Sequence, residues 1–337
     1  MSIGPSRRTM PYFCAPHTPV SVRTAAPATP RAEQIRSREA MLVGGQSGRI
    51  DYLNHGRYQA GGLVDIGGRD YQQDGLLFAG EAELAVVADG LGGHLDGEKA
   101  SASVLKTLAR EFANKDIFDF PAALKAAGWQ LRRDIAAGLI RSTGETPTGT
   151  TIVGAHRDPV TNILTIAKLG DSRAYLFRDS QLQILTLDDV WEMEGYIKCD
   201  FIFNEFVRQL GKDPEAACQA YRALTPPLTS DQSRLFSRLV YEHGQFGIFA
   251  NRIGKYLGDN DEGCETPTLL KLQMQANDLV LLTSDGAHGS IDYDDLSQTI
   301  AAHSLESPLA IAQAIKTALS VPEGQDNNTI AVLRAAM

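Results

Sequence analysis

Leu84-Ala85-Val86-Val87-Ala88-Asp89-Gly90-Leu91-Gly92-Gly93-His94 decides the fold in two halves. The first half is an unbroken apolar run, with the length and content of a strand buried on both faces. The second half is an aspartate followed by glycines, which ends regular pairing and accepts the backbone angles of a tight turn. The same setting recurs along the chain. Lys168-Leu169-Gly170-Asp171-Ser172, Leu282-Thr283-Ser284-Asp285-Gly286 and Gln325-Asp326-Asn327 before Thr329 to Leu333 each put an aspartate at the beginning or end of an apolar run, and Asp74 stands just before Leu76-Leu77-Phe78. A lone Asp-Gly reads as a hairpin turn. Five such settings read as strand ends brought to one place, because strands of one sheet system can share an end and loops there carry function.

Working outward, short apolar runs predict strands at Leu76 to Ala79, Leu84 to Ala88, Thr150 to His156, Ile163 to Leu169, Ala174 to Phe177, Leu279 to Thr283 and Thr329 to Leu333. Helical spacing over Glu98 to Phe112 sets Ala102, Leu105, Leu108 and Phe112 on one face, and over Ala122 to Ile140 it sets Leu124, Leu131, Ile135 and Leu139 likewise. The hairpin-like succession from Ile163 to Leu185 points to an antiparallel α+β class. Two segments differ in kind. Residues 1–57 are punctuated by proline and reach their first acidic residue only at Glu33, so they read as a flexible tail ahead of a domain over 58–337. The stretch at about 190–250 is helical in flavour and reads as an insertion, with Pro226-Pro227 separating two helices.

Composition narrows the function. The 337 residues carry 32 Lys+Arg against 41 Asp+Glu, a net charge of -9, which argues against a nucleic-acid-binding surface. The apolar runs fall far short of the roughly 20 residues that cross a bilayer, so no membrane span is expected. Four widely spaced cysteines, without a C-x-x-C pair, indicate neither a zinc site nor a disulfide framework, and a cytoplasmic setting is expected. Trp129 and Trp191 read as packing aromatics, Asp158 and Asp179 as turn residues, Arg173 as structural, and His288 as a packed histidine.

Gathered carboxylates need a remedy for their repulsion. At an effective dielectric of about 20, two such charges 4 Å apart repel by roughly 4 kcal/mol. Divalent cations are the simplest remedy, and an oxygen-only ligand set selects Mg²⁺ or Mn²⁺ over Zn²⁺. Two such ions about 3.5 to 4 Å apart suit in-line displacement at phosphorus.

These residues in this order resemble the metal-dependent protein phosphatase family, the PPM or PP2C-type serine/threonine phosphatases, and its bacterial branch in particular. The resemblance runs through Arg69-Asp70-Tyr71-Gln72-Gln73-Asp74, Val87 to His94 with Gly97-Glu98-Lys99-Ala100-Ser101, Gly149-Thr150-Thr151, Leu169 to Tyr175, Leu281 to Gly286 and Gln325 to Thr329. It implies a four-layer α-β-β-α sandwich of two antiparallel sheets flanked by helices, with the metal cleft at one end. It also implies that Asp89 bridges two metals, that Asp285 and Asp326 complete the first, that the Gly90 carbonyl serves the second, and that Asp74 sits beside them. Asp171 matches the ligand of a third, weaker ion, and Arg69 matches the residue that holds substrate phosphate. The implied reaction is hydrolysis of phosphoserine and phosphothreonine in proteins, the targets of a Ser/Thr kinase, by a metal-bridging water.

Departures from the family pattern keep a second reading open. Gln72 replaces the usual asparagine, and Gly289 stands where many members have another aspartate. Leu185 to Asp189 and Ile253 to Gly258 look like the two ends of the family's flap, enlarged here by the 190–250 insertion, which is expected to select substrates or dock a partner. The alternative is a catalytically weak member of the same fold that acts as a phosphopeptide-binding or signalling scaffold.

Overall fold

The computed structural model describes residues 40–52, 58–80, 83–91, 96–115, 117–143, 147–186, 188–189, 253–258, 266–320 and 326–335. The expected helical insertion at 190–250 lies outside the described residues, as do His94, Trp191 and Gln325.

Strands run in chain order as β1 (Ala40–Gly44), β2 (Gly48–Tyr52), β3 (Tyr58–Asp65), β4 (Asp74–Ala79), β5 (Leu84–Leu91), β6 (Gly149–Thr150), β7 (Ile152–Arg157), β8 (Ile163–Leu169), β9 (Arg173–Arg178), β10 (Gln181–Ile184), β11 (Thr268–Gln273), β12 (Leu279–Thr283) and β13 (Asn328–Ala335). Helices α1 (Gly97–Asn114) and α2 (Phe120–Ala136) follow β5; a single turn, α3 (Asp285–His288), follows β12, and α4 (Tyr293–His303) and α5 (Pro308–Ala318) precede β13. One sheet has the order β1-β4-β5-β7-β8-β11, with β6 added to β5, and the other β10-β9-β12-β13-β3-β2. Every pairing among the named strands is antiparallel.

The period of two along each strand sorts side chains into three apolar layers. Phe78, Val87, Ile166, Leu176, Leu282 and Leu333 meet between the sheets. The opposite parity of the first sheet, including Leu77, Val86 and Leu169, packs beneath α1 and α2. That of the second, including Tyr175, Leu281 and Val332, packs beneath α4 and α5. The α-β-β-α sandwich expected from the resemblance is therefore the observed architecture. Among the described residues no helix is long and apolar enough to cross a membrane.

Three expectations need correction. Residues 40–52 are not tail: β1 pairs with β4 and β2 with β3, so the domain begins at or before Ala40. Helix α2 stops at Ala136, because Gly138 takes φ +71° and its amide turns back to Ile135 O; Leu139 is thus 66% exposed, off the core face. Trp129 is 59% exposed, with the Arg132 guanidinium 5.6 Å from its ring centroid, so it is a surface aromatic. Asp158, in contrast, is the turn residue expected, accepting from the amides of Val160 and Thr161.

Candidate metal centre

Parity carries the carboxylates to one end of the inter-sheet gap. Asp74 shares the face of Leu76 and Phe78, and Asp89 that of Ala85 and Val87, all inter-sheet residues. The two aspartates are register partners across β4 and β5. From the other sheet come Ser284, just after β12, and Thr329, on β13. Both donate to Asp74 Oδ2, at 2.7 and 2.8 Å, so one carboxylate joins the ends of both sheets. The Asp89 backbone is held by Thr151, whose amide donates to Asp89 O at 2.8 Å and whose Oγ1 accepts from Asp89 N at 3.3 Å.

Glycines let the ends approach. A Cβ on Gly90 would stand 2.1 Å from Gly97 O and 2.9 Å from Gln73 O. One on Gly286 would stand 2.0 Å from Asn327 O. Asn327 ties the corner together: its Oδ1 accepts from Gln73 N at 2.8 Å, and its Nδ2 donates to Ile66 O and Tyr71 O. Gln72 Oε1 accepts from Asp74 N at 2.9 Å, so this departure from the family pattern orients Asp74 through the backbone. At the rim, the Arg69 Nη2 donates to Asp326 Oδ2 at 2.6 Å, both side chains being well exposed.

Electrostatics mark the cluster as strained without a cation. Burial pushes the Asp74 carboxyl up to about 7, the Ser284 and Thr329 hydroxyls opposing and the Asp285 and Asp326 charges adding. Removal from water lifts Asp89 well above the usual carboxylate range, and Asp74, Asp285 and Asp171 add to it. Asp171 is raised by burial and then by Asp285, and Asp285 by burial and then by Asp326. A side-chain hydrogen bond also links Asp89 with Asp285, raising the first carboxyl and lowering the second.

The donor set suits a hard divalent ion. Asp74 Oδ1, Asp171 Oδ1 and Asp285 Oδ1 are buried and have no hydrogen-bond partner. Such orphaned acceptors are rare in native proteins and call for an explanation. Each is a carboxylate oxygen among other carboxylates, which is how oxygen-ligated cations are held. Asp326 differs, since Arg69 and the Asn327 amide occupy its two oxygens. Among the described residues no three His, Cys, Asp or Glu side chains surround a common point at ligand distance. The structure brings Asp74, Asp89, Asp171, Asp285 and Asp326 within electrostatic reach of one another at one end of the two sheets, and Arg69 pairs with Asp326 at the exposed edge.

Comparison with solved structures places this geometry. The PPM Ser/Thr phosphatase MsPP of Mycobacterium smegmatis superposes with a TM-score of 0.56 at 22% identity, covering 83% of this chain and 98% of that one. The chain has the PPM-type phosphatase fold. The catalytic domain of the phosphatase PstP, solved with two manganese ions, superposes on this chain with a TM-score of 0.58 at 23% identity, over 83% of this chain and 99% of that one. In sequence, the chain is 27% identical over 267 residues to the serine/threonine protein phosphatase PstP of Mycobacterium tuberculosis. That alignment covers 76% of this chain but only 41% of the curated relative. No family model matches the chain.

Residues outside the expected set also build this end of the sandwich. Ser284, Thr329, Thr151 and Asn327 were visible inside the motifs, but their roles depend on partners far away in sequence. Asp188 was visible as a flap end, and its carboxylate takes both arms of the Arg173 guanidinium at 2.8 and 2.6 Å. Burial works to raise Asp188, and Arg173 overrides it, holding the carboxyl below its usual range. Arg173 is structural as expected. His288 is packed, with Nδ1 3.1 Å from Thr283 Oγ1, and burial pushes it down to about 3.

Proposed function

We propose that the chain is a Mg²⁺- or Mn²⁺-dependent phosphatase acting on phosphoserine and phosphothreonine in proteins. One observation carries the reading: buried carboxylates crowd one cleft of a PPM-type sandwich, and three of their oxygens lack any partner. The relatives support it, PstP being a serine/threonine protein phosphatase whose catalytic domain takes two manganese ions.

Asp89, Asp285 and Asp326, with the Gly90 carbonyl, are the proposed holders of two ions; Asp74 stands beside them and Asp171 serves a further one. When bound, such ions supply a water activated near neutral pH and offset charge developing on phosphoryl oxygens. The chain's own residues do the rest. Asp74, fixed by Ser284 and Thr329, keeps the ends of β4, β12 and β13 in register. Arg69 presents a planar fork at the exposed mouth, suited to two phosphoryl oxygens, and it exchanges Asp326 for substrate. His288 is buried and its pKa is pushed down to about 3, so it is not the proposed acid; water or a nearby acid protonates the departing serine or threonine oxygen. The Gly254 amide donates to Asp189 O at 2.6 Å, which brings together the two ends of the stretch proposed to dock a partner.

The test is phosphate release from a phosphothreonine peptide with Mn²⁺, with Mg²⁺ and with chelator. Asp285→Asn should cut metal-dependent turnover by at least about 100-fold, since even outer partners of metal ligands cost 10- to 100-fold. Folded wild-type protein inactive with both metals would favour the scaffold reading instead.

A further inference from the structure

The end of β8, just before the turn that carries Asp171, holds a charge that the proposed chemistry leaves unused. Lys168 is wholly buried, at 0% exposure. On β8 it shares the face of Leu164 and Ile166, so its stem runs into the inter-sheet core. An ammonium leaves water unfavourably, and an apolar residue of like volume generally serves stability as well or better. Stability alone is therefore a poor account of this lysine.

Its partners converge on one peptide. Lys168 Nζ lies 2.8 Å from Asp189 Oδ2 and donates to Gly170 O at 2.8 Å. Asp189 accepts from Gly170 N at 3.2 Å and returns its own amide to Gly170 O at 2.8 Å. Gly170 has φ +102°, a conformation open chiefly to glycine, and a Cβ there would stand 2.6 Å from the Thr151 side chain. One ion pair thus grips both polar atoms of the residue just before Asp171. The other side of Asp171 is held too, by Ser172 Oγ at 2.8 Å from Thr151 Oγ1 and by Arg173 on Asp188. Between these grips Asp171 carries a buried Oδ1 with no partner.

We propose that Lys168 and Asp189 are a positioning pair that aims the Asp171 carboxylate at a divalent cation and so sets the affinity of the weakest-bound ion. The proposal rests on the reading of this cleft as a metal centre. Neither residue touches the ion or the substrate; both act through the Gly170 peptide.

The experiment is Mn²⁺ binding to the full chain, followed by the electron paramagnetic resonance signal of free Mn²⁺, with phosphopeptide turnover measured in parallel. Asp171→Asn should remove the weakest binding step. Lys168→Met should weaken that step by about tenfold or more, the scale of outer-shell partners, while the tighter steps keep their affinity. The Mn²⁺ concentration for half-maximal turnover should rise with it, and kcat should recover at saturating Mn²⁺. Asp189→Asn should act alike, the double variant no worse than either single one, and Lys168→Arg should restore part of the loss. A merely structural lysine would lower the melting temperature and leave the isotherm alone. Folded Lys168→Met and Asp189→Asn proteins with wild-type isotherms would overturn the proposal, as would losses that sum in the double variant. Should Lys168→Met fail to fold, Asp189→Asn decides alone. Failure of the metal-centre reading looks different: Asp89→Asn would then bind Mn²⁺ as the wild type does.

Discussion

A single methyl group tests the cleft at the residue scale. Gly90→Ala would bring a Cβ to 2.1 Å from Gly97 O, and Gly286→Ala one to 2.0 Å from Asn327 O, so backbone must shift beside Asp89 or Asp285. A displacement of about 1 Å in a catalytic geometry costs roughly 100-fold in rate. Both variants should lose turnover on that scale while keeping the far-ultraviolet circular dichroism of the fold; near wild-type kcat in either would contradict the close-approach argument. Asp188→Asn is a different case, since it strips a buried guanidinium of its charge partner. Breaking such a pair costs about 3–5 kcal/mol, which denaturant unfolding reads directly. The aspartates themselves were legible in the sequence because each interrupts an apolar run beside glycine, serine or asparagine. Their supports were not, since Thr329 meets Asp74 across 255 positions and nothing local announces the contact.

Elements were legible in proportion to how much of their identity is local. Ile163 to Leu169 and Leu279 to Thr283 stand in the structure with the predicted bounds, as buried runs that need no partner to be recognised. Strands β1 and β2 hide among glycine and polar residues, β1 is only half-buried, and both owe their existence to β4 and β3. A chain starting at Tyr58 should therefore melt at least about 5 °C below one starting at Ala40, since it loses Ile50 from the core and bares the edges of β4 and β3. Equal melting temperatures would return β1 and β2 to the tail. Where β7 meets the helices, His156 packs edge-on to Phe112, Phe118 and Phe120, and burial pushes it down to about 4. The unfolded chain takes a proton near pH 6.5 and the folded one only near 4, so stability falls as pH drops through that window. At about 1.4 kcal/mol per pH unit the loss approaches 3 kcal/mol. Urea unfolding of His156→Phe should lack this share of the acid sensitivity, and parallel pH profiles for the two proteins would refute it.

Across the whole molecule, the cleft sets function against stability. Among the described residues two sheets pack on apolar layers, and at one end Asp74, Asp89, Asp171 and Asp285 face one another with raised proton affinities and three oxygens without a hydrogen-bond partner. Such a site is destabilising until its charge is met, in keeping with active sites that trade stability for chemistry. Two opposite effects should follow from one substitution. In chelator, Asp285→Asn relieves repulsion on the order of a few kcal/mol at close range, partly offset by relaxation, and should melt about 2–4 °C above the metal-free wild type. In Mn²⁺ the order should reverse, because the wild type gains about 2.7 kcal/mol at a hundred times the dissociation constant and the variant has given up a ligand. Thermal unfolding of both proteins, with chelator and with Mn²⁺, distinguishes this from a purely structural aspartate. A structural residue would lower the melting temperature in both conditions, whereas a metal ligand makes the two curves cross.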